Sequence, residues 1–225
     1  TDNLSDPEIA LPGDNFNTKL YTGDGATTLA VSSVGFQPDF TWIKNRDEAD
    51  DHTLVDSVRG ATKYLVSNEN YAEVDDSTFV ASLDSDGFTV GDDVVVNTST
   101  ENYVSWNWKG DGVAGGTLNE DGTIDSQVNV NTTAGFSIVS YTGQVAAGTI
   151  GHGLSQAPEL IIAKIRSSAD TWWAGSDYLT SWVYKLILND TSAEAAKAAL
   201  WNSTAPTADV FSVGTDGLNG VDGRT

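Results

Sequence analysis

The sequence predicts an all-β protein made of two antiparallel β-sandwiches in tandem, with the second copy lacking its last strand. Three observations lead there. The first is composition: 39% of the 225 residues are hydrophobic, 7 Trp, 7 Tyr and 7 Phe are available to fill cores, and 22 Gly accompany many Thr, Ser, Asn and Asp that supply turns. The second is pattern, since apolar residues alternate over short runs bounded by Gly, Asp and Asn, as half-buried strands require. The third is an internal repeat.

Tyr21-Thr22-Gly23 returns as Tyr141-Thr142-Gly143, and Gly35-Phe36-Gln37-Pro38-Asp39-Phe40-Thr41-Trp42-Ile43-Lys44 is answered by Leu154–Lys164. Pro38 and Pro158, like Lys44 and Lys164, stand 120 residues apart. Tyr64–Asn68 then faces Lys185–Asn189, and Asp86–Gly91 faces Asp209–Gly214, with the offset drifting by a few residues in loops. Four matched blocks in one order mark a duplication.

Taken in order, residues 1–15 form a polar N-terminal arm containing Pro7, Pro12 and Gly13, with no signal sequence recognisable at Thr1–Asp6. Copy one runs over residues 16–108, with strands expected near Phe16–Tyr21, Phe40–Lys44, His52–Asp56, Lys63–Ser67, Phe79–Leu83, Gly87–Val90 and Tyr103–Trp108. Asp86-Gly87 signals a tight turn between two of them. Residues 109–135, rich in Gly, Asn, Asp and Thr, read as a linker or long loop, although Ile124, Val128 and Val130 are spaced to add a strand. Copy two fills residues 136–225, and its Ala-rich stretch Ser192–Leu200 predicts a short helix. Copy one closes with Asn102-Tyr103-Val104-Ser105-Trp106-Asn107-Trp108, whereas the equivalent strand of copy two should begin at Arg224-Thr225. A sandwich without that strand exposes an unpaired edge, so either the sequence is truncated there or the edge is completed by another segment or another chain.

Charge and composition exclude several function classes. A net charge of −21 repels phosphate backbones and anionic lipid, so nucleic acid is not an expected partner. With no Cys there is neither a disulfide nor a thiolate metal site. No apolar run approaches the roughly 20 residues of a membrane-spanning helix, so no membrane insertion is expected. No cofactor motif is present, and neither His52 nor His152 is accompanied by a recognisable nucleophile, so catalytic residues and an enzymatic role are not expected. Asp84-Ser85-Asp86-Gly87 starts like a calcium loop, but the later ligands do not follow and Asp-Gly is itself a hairpin signal; no metal is assigned.

Two groups of residues stand out for binding. Trp172, Trp173, Tyr178 and Trp182 are concentrated in copy two, and such rings stack on sugar faces or anchor interfaces when exposed, or pack a core when buried. Arg59 and Lys63 flank Gly60-Ala61-Thr62 in an otherwise acidic chain, placed either to meet a neighbouring subunit's carboxylates or to pair locally.

The blocks Phe16–Gly23, Gly35–Asp39, Trp42–Lys44, Asp56–Lys63, Asp84–Gly91 and Tyr103–Trp106 resemble a repeated β-sandwich domain of unknown function found in tail-fibre-like and virion structural proteins of marine bacteriophages. Asn131–Val139, Gly151–Leu154 and Trp201–Pro206 extend the likeness over nearly the whole chain after residue 12. Ser105 and Asn107 stand where that family often has Ala and Cys, and copy two lacks the Val58–Lys63 block. The resemblance implies a jelly-roll or concanavalin-like fold and a non-enzymatic virion protein on the particle exterior, such as a tail-fibre module contacting host surface glycans. The rival expectations are a capsid decoration protein anchored by its N-terminal arm and a carbohydrate-binding receptor module. The expected partners are other virion subunits, including copies of this chain in a homo-oligomer, and host carbohydrate. An endoglycosidase of the same shape ranks last because no facing carboxylate pair announces itself.

Overall fold

A computed structural model describes residues 11–220. Nearly all of its regular structure is β. The first half contains β1 (Phe16–Thr22), β2 (Leu29–Ser32), β3 (Phe40–Asn45), β4 (Thr53–Asp56), β5 (Lys63–Tyr64), β6 (Val74–Asp75), β7 (Val80–Asp84) and β8 (Gly87–Val90), then the one-turn helix α1 (Val94–Asn97) and β9 (Asn102–Trp108). The second contains β10 (Thr117–Asn119), β11 (Ser126–Asn131), β12 (Phe136–Tyr141), β13 (Gly148–Gly151), β14 (Leu160–Ala163), β15 (Trp173–Ser176), β16 (Tyr184–Ile187), β17 (Ala195–Ala196) and β18 (Val210–Val213). The ladders between these strands are antiparallel. No described helix is long and apolar enough to cross a membrane.

The period of two seen in the sequence becomes burial. Along β3, Thr41, Ile43 and Asn45 are buried while Phe40, Trp42 and Lys44 lie on the other, partly covered face. The main sheet of the first half has the order β1-β9-β3-β4, and β2-β8-β7 forms a second one. Ile43, Val55 and Tyr103 from the former and Val31, Phe88 and Val90 from the latter belong to one core. In the second half the sheets are β10-β11-β12, β13-β18 and β14-β15-β16-β17, around a core that includes Ile150, Trp182, Trp201, Phe211 and Val213.

Strand pairing repeats along with sequence. Phe40 opposite Asp56 and Ile43 opposite Thr53 correspond to Leu160 opposite Ser176 and Ala163 opposite Trp173, each shifted by 120. Val31 opposite Phe88 is matched by Ile150 opposite Phe211. A buried Asn closes the same loop in each half. Asn97 donates from Nδ2 to the carbonyls of Ala26 and Gly91 and accepts from the N–H of Asp24, and Asn219 does the same with Ala146, Gly214 and Gln144.

Several expectations need correction. Residues 109–135 are not a mere linker: β10 and β11 form there, Ile124, Val128 and Asn129 are buried, and Asn129 reaches back to donate to Asp39 Oδ1 and Ser57 Oγ. The Ala-rich stretch 192–200 is not a helix, because Ala195 and Ala196 pair with Lys185 and Tyr184; tertiary pairing overrides the helical preference of Ala. Of the N-terminal arm, residues 1–10 lie outside the described residues, and Pro12–Asp14 is a single 3-10 turn. The start expected for a closing strand at Arg224-Thr225 also lies outside them.

Candidate functional site

Of the six residues singled out for binding, two, Trp172 and Arg59, lie at the junction between the two halves. Trp172, just ahead of β15, is only 6% exposed and sits among Leu54, Leu65, Phe40 and Trp42 of the first half. Its Nε1–H donates to the carbonyl of Val66 at 2.7 Å, which satisfies the one polar atom of a ring otherwise buried in hydrocarbon. The ring is an interface anchor within the chain.

Arg59 takes the local alternative and is not free to meet another subunit. Its Nε donates to Asp56 at 2.5 Å and its Nη1 to Glu73 at 3.1 Å, with 6% of the side chain exposed. Glu73 is shared: Arg166, which follows β14 in the second half, donates to it from Nε and Nη2, both at 2.8 Å. The backbone N–H of Glu73 donates to the carbonyl of Arg166 as well. Burial acts to raise the Glu73 carboxyl, but the hydrogen bonds and positive charges of Arg166 and Arg59 outweigh it and hold the group below its ordinary value. Arg166 is correspondingly raised, first by its bond to Glu73. Lys63 lies on β5, half-buried, outside this cluster.

The remaining aromatics do not form a sugar platform. Trp182 is 6% exposed, donates to Asp177 and meets Trp201 edge-on. Trp173 is half-buried, with the ammonium groups of Lys197 and Lys185 at 5.1 and 5.6 Å from its ring. Tyr178 alone of the four stands out in solvent, 85% exposed.

The two histidines are separated and held by structural bonds. Nδ1 of His52 accepts from Trp42 Nε1–H at 2.7 Å. Nδ1 of His152 accepts from the N–H of Leu154, which leaves the ring proton on Nε2, facing the carbonyl of Thr207. Burial lowers the pKa of both rings; the charge of Lys44 adds to this at His52, whereas Thr207 and nearby Asp209 oppose it at His152. The carboxylates of the β7–β8 hairpin serve the fold: Asp86 accepts from the N–H groups of Ser33 and Gly35, and Asp84 accepts from Ser82 and Thr89. Among the described residues no three His, Asp or Glu side chains gather as metal ligands would.

Nothing local in the sequence marks the third participant in the junction, Glu73, which lies in a polar stretch before β6. Only its contact with two arginines, one of them 93 residues away, marks it. Lys164 is the counterpart of Lys44, 120 residues on. It donates to the carbonyls of Ile165 and Ser168, as Lys44 does to those of Asn45 and Glu48, and burial pushes its ammonium down to about 8 against the pull of Asp170.

One family model, described as a domain of unknown function (DUF7483), matches residues 11–224. No curated protein and no solved structure matches the chain.

Proposed function

The chain belongs to the DUF7483 family, and on that premise we propose that it is a non-enzymatic structural protein of a bacteriophage exterior, a tail-fibre or appendage module made of two tandem sandwich copies. What supports a scaffold reading above all is the use made of the reactive side chains. Trp172, Arg59, Glu73 and Arg166 lock one half to the other, and each histidine is committed to a structural hydrogen bond. An active site needs such groups converging on a cleft that admits substrate. The matching strand registers support the two-copy architecture, and the phage setting rests on the sequence resemblance. In this reading the acidic surface keeps assembled particles apart in a salty medium, the partners are other virion subunits including copies of the same chain, and any contact with host glycan falls to Tyr178.

The test is electron microscopy of purified particles labelled with an antibody raised against the chain. Label on a tail appendage is the expected result. Label on the shell lattice would move the protein to capsid decoration, and intact particles that contain none of the chain would end the virion assignment.

A further inference from the structure

In the first half, β9 is gripped on both sides. It pairs with β1 along Phe16–Thr22 and with β3 along Phe40–Asn45, antiparallel to each. In the second half, β12 and β14 hold the corresponding places, 120 residues on, yet they are end strands of two separate sheets. Among the described residues nothing pairs with the second edge of either.

A recess lies between Val139–Tyr141 and Lys164–Arg166, closed below by Leu218. The corresponding first-half residues are Lys19–Tyr21, Lys44–Arg46 and Val96, and three of them, Tyr21, Asn45 and Val96, belong with Tyr103. Its ring stacks on Tyr21 at 5.0 Å, its backbone lies opposite Tyr21 and Asn45, and the side chain is wholly buried. Tyr141 keeps the other habits of Tyr21. The Tyr21 hydroxyl donates to Val96 and meets Phe88 edge-on, while the Tyr141 hydroxyl donates to Leu218 and meets Phe211 edge-on. Only the stacked ring has no counterpart among the described residues. Arg166 Nη1 reaches Ser140 Oγ across the recess at 2.9 Å.

The outward faces differ in the same way. Phe40 and Trp42 are covered by Trp108 and Trp106 of β9, with ring centroids at 5.3 and 6.2 Å. Their counterparts Leu160 and Ile162 are 58% and 43% exposed.

We propose that the gap between β12 and β14 is a docking site for one extended strand, antiparallel to both, with the alternating aromatic pattern of Asn102–Trp108, supplied from outside the described residues. At the offset that relates Asn97 to Asn219, Asn102 corresponds to Arg224, so the span of such a strand falls beyond the described residues. A second copy of the chain is a poor donor: its own β9 is held in two ladders and would have to leave them. An added strand gains backbone hydrogen bonds on both edges, and its alternate side chains choose it: a Tyr-like ring inward against Tyr141, indole rings outward over Leu160 and Ile162. This inference does not depend on a virion role.

The experiment uses the chain as it is and a fluorescein-labelled peptide of the sequence Ser99–Lys109, followed by fluorescence anisotropy. Saturable binding is expected. A scrambled peptide, and one carrying Tyr103→Ala, should bind at least about tenfold more weakly, a difference of about 1.4 kcal/mol. Hydrogen exchange on the complex should slow at the amides of Val139–Tyr141 and Ile161–Lys164, and not in β1 or β3. Absence of saturable binding, equal binding of the scrambled peptide, or slowing confined to β1 and β3 would overturn the proposal. A peptide-free dimer with the β12 and β14 amides already protected would assign the gap to a second copy and overturn it too.

Discussion

The two halves of the chain are built from one plan and finished differently. The first half completes its main sheet with β9, which brings Tyr103 into the core and Trp106 and Trp108 over the outer face. The second half, over its described residues, has the same flanking strands, the same buried Asn and the same Tyr hydroxyl contact, with the flanking strands in separate sheets. A strand's neighbours, rather than its own sequence alone, therefore set how well it is buried. β3 alternates between buried and partly buried residues, whereas β14 alternates between partly buried and exposed ones, although both pair in the same register with β4 and β15.

That difference makes Tyr103→Ala the most damaging single change. It removes a wholly buried ring that also accepts from Thr98 N–H and donates to Val94, and it should cost about 3–5 kcal/mol in urea unfolding. Tyr141→Ala, in a ring without a stacked partner, should cost clearly less; equal losses would break the comparison between a closed and an open sheet.

Next comes the joint. Trp172→Ala empties a site between the halves and should cost about 3 kcal/mol, and because the ring touches the first half the loss should appear in both halves at once. A single transition shifted to lower urea is expected, and a loss confined to one half would break the picture of two units tied by that anchor. Glu73→Gln keeps the shape but removes the charge shared by Arg59 and Arg166. Since the cluster is partly open to water, roughly 1–2 kcal/mol is expected, below the figure for a fully buried pair.

The smallest effect is in acid, and its sign is fixed. His52 and His152 have folded-state values below the unfolded one, so the unfolded chain binds protons first and stability declines as pH falls below about 6.5. The stability contributed by Glu73, whose folded value is also lowered, is present above its unfolded value, about 4.3, and is lost as pH falls through the folded one. Thermal unfolding between neutral pH and pH 4 should show a shallow fall, and His152→Gln should remove part of its upper portion. A melting temperature that rises on mild acidification would contradict both assignments.

Much of this was legible in the sequence. Seven strands expected in the first half fall on β1, β3, β4, β5, β7, β8 and β9, because short alternating runs between turn residues carry their own signal. β2 and β6 escaped notice: Leu29–Ser32 and Val74–Asp75 are too short to alternate visibly, and their partners decide them. The repeat was visible, down to the register of the β3 and β14 blocks. The junction was not. Trp172 and Arg59 stand out by residue type, but nothing local tells a ring bound for another half from one bound for solvent, and Glu73 is one acid among many until Arg166 arrives from 93 residues along the chain to join Arg59. The segment 109–135 misled because its polar surface hides one apolar face, and because Asn129 does its work by completing the hydrogen bonds of Asp39 together with Gly110 and Gly112.

The seating of Trp172 in the first half also sets the unit of assembly. Two halves with matching strand registers could be strung into a uniform array only if each presented its neighbour with the same surface. Here residue 172 is Trp where the first half has His52, and it fills a pocket of Leu54, Leu65, Phe40 and Trp42. Those partners correspond to Ala174, Lys185 or Leu186, Leu160 and Ile162 in the second half, so the tongue and the socket occur once each per pair. Any longer array made from this chain has a period of two halves, and a half cut out and spliced elsewhere would carry an indole without its socket or a socket without its indole.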